Sequence, residues 1–236
     1  EHAFGEKKNS STKLFKINKK KILIAAHCFN DAPHVHGNML FSDFFEWMDY
    51  LGKKSNQFTK FEWCIKLHPS DYDNNYKFIK GFLDKYKALS LLPKNTNHKE
   101  ILQQKISAVL TVHGSIGHEY PLFNIPVINA GNGPHFPYKF NYNPQNLKDY
   151  NKLINNIEKL KVNQLHKKEI YQLYFCHYLI DFDIFYKLPK SDEILNSDYV
   201  IDFFLDSLSN QDIDNVKNSF RDFILSGKRR MIEFRT

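Results

Sequence analysis

Four polar stretches hold the residues that could do chemistry, and each follows an apolar run of strand length. After Lys21–Ala26 come His27, Asp31, His34 and His36. At the end of Phe61–Leu67 come Lys66, His68 and Pro69. After Ala108–Val112 come His113, Gly114, Ser115, Ile116, His118 and Glu119, and after Pro126–Asn129 come Gly131, Asn132, Gly133 and His135. Seven of the eleven histidines fall in these stretches or in the first turn beyond them. Histidines kept only for packing would not favour one end of every strand. Neutral or cationic His and Lys, a serine hydroxyl, small-residue turns and one carboxylate suit a phosphate-bearing ligand attached to a sugar.

The stretch Ala108–Pro134 organises the rest. It reads as strand, tight polar turn, short helix, second strand and a Gly/Pro loop. The helix starts at Ile116 and is limited by Pro121. A turn feeding a helix N-terminus offers free N–H groups and the positive end of the helix dipole, a setting for an anion. Glu119 falls about one turn into that helix, where a carboxylate can accept hydroxyl hydrogen bonds, as from a ribose. A well-capped βα turn without a ligand explains the same residues, because a few glycines are a weak signal.

The elements that must position these residues follow from periodicity. Lys21–Ala26 holds a continuous apolar run of the kind buried on both faces of a parallel sheet, and Phe61–Leu67 reads as the second strand. Between them, Asn38–Leu51 has helical apolar spacing. Asp71–Tyr86 predicts a helix with Tyr72, Tyr76, Ile79, Phe82 and Leu83 inward, interrupted by Gly81. Ala88–Leu92 is a third strand, and Asn97–Lys105 a short helix capped by Asn97. The alternation predicts a doubly wound, Rossmann-like parallel sheet, α/β in class, with ligands outside the carboxyl ends of its strands. From Asn143 the pattern is helical only. Pro144–Leu160 reads as a helix capped by Asn143, and further helices are expected over 165–181, 193–208 and 211–225. The expected organisation is a polar tail or linker over 1–20, a nucleotide-sugar-binding domain over 21–162 and a helical extension over 163–236.

Other chemistries find less support. His34-x-His36 with His27 or His113 would give zinc three imidazoles, but no Cys–Cys or His-Glu-x-x-His spacing accompanies them. Ser115 is not in a G-x-S-x-G elbow, because His113 stands at the first glycine. No Walker-type phosphate loop is present. Taken singly, a histidine is more often a hydrogen-bonded structural residue than a catalyst, and His166 and His177 are read that way.

Composition bounds the class. A chain of 236 residues, 42% hydrophobic and 25% charged, can bury one good core, and 21 Phe and 13 Tyr make that core rich in rings. The net charge of +7 is located at the ends. Residues 1–21 carry seven Lys against two Glu, and residues 221–236 carry five Lys/Arg against two acids. Residues 22–220 sum to −1, whereas a nucleic-acid binder carries its basic surface on the fold itself. The basic ends suit solvated tails or a weak attraction to an anionic membrane surface. Cys28, Cys64 and Cys176 are too widely spaced for a disulfide or metal framework and read as reduced, buried thiols. No apolar run approaches the roughly 18 residues that span a bilayer, and no signal peptide is expected. The first residue is not Met, so a piece of a longer protein is the expectation.

Three segments in this order resemble a known family. They are His68-Pro69, then Thr111-Val112-His113-Gly114-Ser115-Ile116-Gly117-His118-Glu119-Tyr120, then Ile125-Pro126-Val127-Ile128-Asn129-Ala130-Gly131. Together with His27–His34 and Leu40–Phe44, they are similar to the C-terminal half of bacterial capsule and surface-polysaccharide glycosyltransferases of the GT-B type. The resemblance covers roughly residues 21–155. It implies that His68 and Ser115 contact donor phosphate, that Gly114 lets the backbone approach, and that Glu119 holds the donor ribose. Lys66, Pro69, His113, Ile116, Gly131 and Asn132 complete the expected donor site. His-Pro with a Ser/Thr turn also resembles polysialyltransferases and teichoic-acid polymerases, which tilts the expected donor towards a CMP- or CDP-linked sugar over UDP or GDP.

Two departures from the family stand out. Tyr120, then Pro121, follow Glu119 where the family has a small residue. A GT-B enzyme also needs two Rossmann-like halves, and this length gives one. The N-terminal, acceptor-binding half usually supplies the general base, so Asp31 and His34 are only the local candidates for that role, against a loop-bracing Asx turn. The expected partners are a nucleotide-sugar donor and a glycan or lipid-linked glycan acceptor, with no nucleic acid and no metal or covalently bound cofactor. The expected setting is cytoplasmic, at the inner face of the membrane. The alternatives are a transferase of alditol-phosphate from a CDP-linked donor, and a non-catalytic half-domain that binds partners in capsule assembly.

Overall fold

A computed structural model describes residues 19–34, 37–70 and 72–174. The chain divides into two units at Ile170/Tyr171, and the account below concerns the first. Five strands form one sheet: β1 (Lys21–Ala25), β2 (Glu62–Lys66), β3 (Leu89–Leu91), β4 (Ile106–Thr111) and β5 (Val127–Asn129). Their order is β3-β2-β1-β4-β5, and every neighbouring pair is parallel. The sheet is doubly wound and Rossmann-like, as the alternation of elements predicts.

Strand alternation divides the core into two layers. Ile22, Ile24, Trp63, Ile65, Ala108, Leu110 and Ile128 face one side, against Trp47, Met48 and Leu51 of α1 (Phe44–Gln57), Ile79 of α2 (Tyr72–Lys85) and Tyr150 and Ile154 of α5 (Leu147–Asn155). Leu23, Cys64, Val109 and Val127 face the other, against Ile101 of α3 (His98–Leu102) and Ile116 of α4 (Ile116–Glu119), with Tyr120 just beyond it. The first layer holds the larger rings, tied by a hydrogen bond from Trp47 Nε1 to the Tyr150 hydroxyl at 3.0 Å. Cys28 and Cys64 are buried free thiols, and burial pushes Cys64 up to about 12. Cys176 lies outside the described residues.

Several boundaries differ from expectation, each for a local reason. α1 starts at Phe44, not Asn38, because Asp43 caps it by accepting the Glu46 amide at 2.8 Å. The preceding residues are drawn into a bridge in which Met39 pairs antiparallel with Gly131. α5 is capped by Asn146, not Asn143, and starts at Leu147. Asn143 accepts from Asn129 Nδ2 and donates to the Phe136 and Tyr138 carbonyls, which holds the loop after β5. α4 is a single turn that tightens into a 3-10 helix over Tyr120–Phe123, with Pro121 in its first turn and Asn124 left-handed at its end. Asn97 caps α3 through a complete capping box with Glu100. Tyr76, expected inward on α2, is 42% exposed, stacked on Tyr72. The last described helix is α6 (Lys167–Tyr174). The helices expected over 193–208 and 211–225 lie outside the described residues, as does His177. His166 pairs with Glu169, a structural role.

Two glycines on neighbouring helices make opposite predictions. A Cβ on Gly52 of α1 would lie 2.1 Å from the Tyr86 ring, whereas a Cβ on Gly81 of α2 would meet nothing within 4 Å. Gly52→Ala should therefore destabilise the fold by about 1–3 kcal/mol through overpacking. Gly81→Ala should stabilise it by about 0.5–1 kcal/mol, since alanine restricts the unfolded chain and favours a helix interior. Urea unfolding of both variants checks the pair, and equal effects would contradict this packing of α1 against the residues that follow α2.

Candidate functional site

The carboxyl ends of β1, β2, β3 and β4 open onto one cleft of about 780 Å³. It lies at β1 and β4, where the strand order reverses. Loops leaving these two strands diverge to opposite faces and leave a crevice. β1 supplies His27 and, on its loop, Asp31; β2 supplies Lys66, His68 and Pro69; the turn after β4 supplies His113, Gly114, Ser115 and Ile116, and α4 supplies Glu119.

The histidines are held by hydrogen bonds. Nδ1 of His68 accepts the Ser70 amide at 3.2 Å, which puts the ring proton on Nε2. Cys28 Sγ lies 3.6 Å from the same Nδ1 and donates to the Ser70 carbonyl at 3.3 Å. Nδ1 of His98 pairs with the Tyr120 hydroxyl at 2.8 Å. Burial pushes the Tyr120 phenol far up, so it stays a protonated hydroxyl. Burial lowers His68, opposed by the Asp31 charge and reinforced by Lys66. Burial and then Lys66 lower His98 to about 4. Both rings are therefore neutral at pH 7, and His68 presents Nε2–H. Burial also lowers Lys66 and raises Glu119, whose carboxylate is held down in part by a hydrogen bond from Ser115.

The turn after β4 uses its amides unevenly. The amides of Val112 and His113 point to Nε2 of His27, each at 3.3 Å, and the Gly114 amide points to Thr111 Oγ1 at 3.4 Å. A Cβ on Gly114 would lie 3.0 Å from that Oγ1, so this glycine also serves packing inside the turn. Within the described residues the Ser115 and Ile116 amides take no backbone partner, and they are the donors left at the start of α4.

Three expected site residues do not line the cleft. His34 Nδ1 accepts the Met39 amide at 3.2 Å. Gly131 pairs with Met39, and the Asn132 amide donates to the Asn38 carbonyl at 2.8 Å. Gly37, at a φ of +110°, packs on the Asn132 side chain. These residues fasten the loop between β1 and α1 to the loop after β5. His36 lies outside the described residues. Among the described residues no three His, Cys, Asp or Glu side chains come together as a metal set. His118 and His135 are buried, and the His135 ring occupies the space where a Cβ of Gly117 would lie.

Sequence reasoning missed the β3–α3 wall. Lys94, Asn95, Thr96, Asn97 and His98 all line the cleft. Lys94 Nζ sits 4.9 Å over the Tyr72 ring and 3.5 Å from the Asp73 carboxylate. The Thr96 hydroxyl is buried with no hydrogen-bond partner among the described residues. The signal was available, because a polar Pro93–His98 run follows a predicted strand. Tyr120 anchors this wall to the end of α4 through His98.

No protein-family model matches the chain, and no curated protein sequence matches it. Among solved structures, an S. aureus MnaA–UDP co-structure superposes with a TM-score of 0.41 at 16% identity, covering 67% of this chain and 46% of that one. The wall teichoic acid polymerase TagF superposes with a TM-score of 0.41 at 17% identity, covering 69% of this chain and 40% of that one. The chain thus spans less than half the length of either structure. No helix among the described residues is long and apolar enough to cross a membrane.

The low His98 value predicts a pH dependence of stability. From pH 6.5 down to about 4 the unfolded chain binds a proton at this ring and the folded chain does not, so acidification lowers stability. Between pH 7 and pH 5 the wild type should lose about 2 kcal/mol more than His98→Gln, at about 1.4 kcal/mol per pKa unit. Urea midpoints of both proteins at the two pH values check this, and parallel losses would contradict it.

Proposed function

We propose that this chain carries the donor-binding half of a GT-B type glycosyltransferase that builds a capsular or other cell-surface polysaccharide. The supporting observation is the cleft at the reversal of strand order, where Lys66, His68, Ser115 and Glu119 converge from three elements. In this reading the diphosphate or monophosphate of the donor lies against Lys66, Nε2–H of His68, the Ser115 hydroxyl and the amides of Ser115 and Ile116. Glu119 holds the ribose hydroxyls, and the β3–α3 wall closes the far side of the nucleotide. CMP- and CDP-linked sugars are the first donors to test.

The chemistry is displacement at the anomeric carbon. An acceptor hydroxyl oxygen bonds to that carbon, the bond from the carbon to the donor phosphate oxygen breaks, and the acceptor proton passes to a base. Charge gathers on the departing phosphate, where fixed N–H and O–H donors and a lysine stabilise it best in a site shielded from water. His68 suits this role as a neutral donor that needs no change of protonation. Asp31 is the local residue to test as base, while His34 is set aside because its Nδ1 already accepts the Met39 amide. The acceptor glycan is presented by a second domain facing the cleft.

The test is a thermal-shift screen with CMP, CDP, UDP, GDP and ADP, followed by titration calorimetry. A nucleotide at about 100 times its dissociation constant should stabilise the fold by roughly 2.7 kcal/mol. His68→Ala and Ser115→Ala should each weaken binding by roughly 1–3 kcal/mol, the range for hydrogen bonds to a charged group. Affinity unchanged in both folded variants would remove the site assignment. Product analysis with sugar and alditol-phosphate donors separates displacement at carbon from displacement at phosphorus. Binding of no nucleotide would favour a partner-binding half-domain.

A further inference from the structure

We infer that His27 is a positioning residue which, as a hydrogen-bond acceptor, holds the turn after β4 and with it Ser115 in the geometry a bound phosphate requires. The inference rests on the donor-site reading above. Nε2 of His27 lies 3.3 Å from the amide nitrogens of both Val112 and His113, and 3.2 Å from Thr111 Oγ1. Two backbone N–H groups converging on one ring nitrogen require a lone pair there, so the ring is neutral with its proton on Nδ1. Thr111 extends the hold: its Oγ1 lies 3.2 Å from Nε2 and accepts the Gly114 amide. Residues 111–114 are thus tied to one imidazole, and Ser115 follows directly.

The ring itself is fixed. It is buried, stacked on Phe44 at 5.0 Å with planes 10° apart, and packed against His113 at 4.2 Å. β4 ends at Thr111, whose carbonyl receives the Ala130 amide, and the two amides that follow turn to the His27 ring. The Gly114 Cα faces inward onto this assembly, since a Cβ there would lie 3.0 Å from Thr111 Oγ1 and 3.6 Å from His27 Cε1. The ring therefore acts as the floor on which the turn is cast, and a shift of the floor moves the Ser115 hydroxyl and amide together.

Two variants separate the acceptor from the ring. His27→Phe keeps a ring against Phe44 and removes the acceptor. His27→Gln loses the ring and places a carbonyl oxygen near the Nε2 position. Amide hydrogen exchange at Val112 and His113 reads the turn without any ligand, and calorimetry with CMP, CDP and UDP reads the site. The expected result for His27→Phe is exchange at least tenfold faster and nucleotide affinity at least tenfold weaker, with His27→Gln restoring both to within about threefold of wild type. A folded His27→Phe protein with wild-type exchange and affinity would overturn the inference. So would a His27→Gln protein that unfolds with wild-type cooperativity yet matches the Phe variant in both readouts. Wild-type protein that binds no nucleotide would overturn the donor reading instead, and the exchange rates would still decide whether His27 holds the turn.

Discussion

The return of the chain across β1 is the constraint on which the rest of the structure depends. After β3 the chain passes back and lays β4 on the free side of β1, so the first three strands wind one way and the last two the other. Parallel crossovers are right-handed, so this reversal sends α1 and α2 to one face and α3 and α4 to the opposite one. The loops leaving β1 and β4 then part. The cleft is the space that no crossover can fill, and its walls are whatever residues stand at those strand ends. Its position is a consequence of topology; its chemistry is a consequence of which residues the chain places there.

Those residues give the cleft a particular electrostatic character. His68 and His98 are neutral rings, His68 fixed as an Nε2–H donor by a backbone amide, while His27 accepts at Nε2. The formal charges of the cleft are few and of both signs: Lys66 and Lys94 against Asp31 and Glu119. On the proposed reading, such a cleft, with one partly buried lysine, would hold a phosphate by geometry more than by field.

The sheet was legible in the sequence because strand-length runs alternate with helical spacing: Ile22–Ala26 is continuously apolar, as burial on both faces requires, and Ala108–Val112 is rich in β-branched residues. The helix starts at α1 and α5 were not, because each segment offers two caps in series. Asn143 competes with Asn146, and the winner is decided by Asn129, 14 residues upstream of Asn143. Of the expected site, the residues beside the ends of β1, β2 and β4, Asp31 included, came together in the cleft. His34, Gly131 and Asn132 did not: they bond two loops to each other, a long-range need that composition does not express. The β3–α3 wall was overlooked because Asn97 was read only as a helix cap and Lys94–Thr96 only as the loop before it. Asn97 serves as that cap and as cleft lining at once.

Tyr120 couples the second core layer to the cleft. Its fully buried ring fills the second core layer, and Pro121 follows, so α4 stops after one turn and tightens into a 3-10 helix. The hydroxyl of that ring still needs a partner, since a buried unpaired phenol costs about 1–3 kcal/mol. It finds His98, the first residue of α3, which lines the cleft. The ring therefore cross-links the wall that carries Glu119 to the wall that carries Thr96, whose hydroxyl is buried beside the cleft with no hydrogen-bond partner among the described residues.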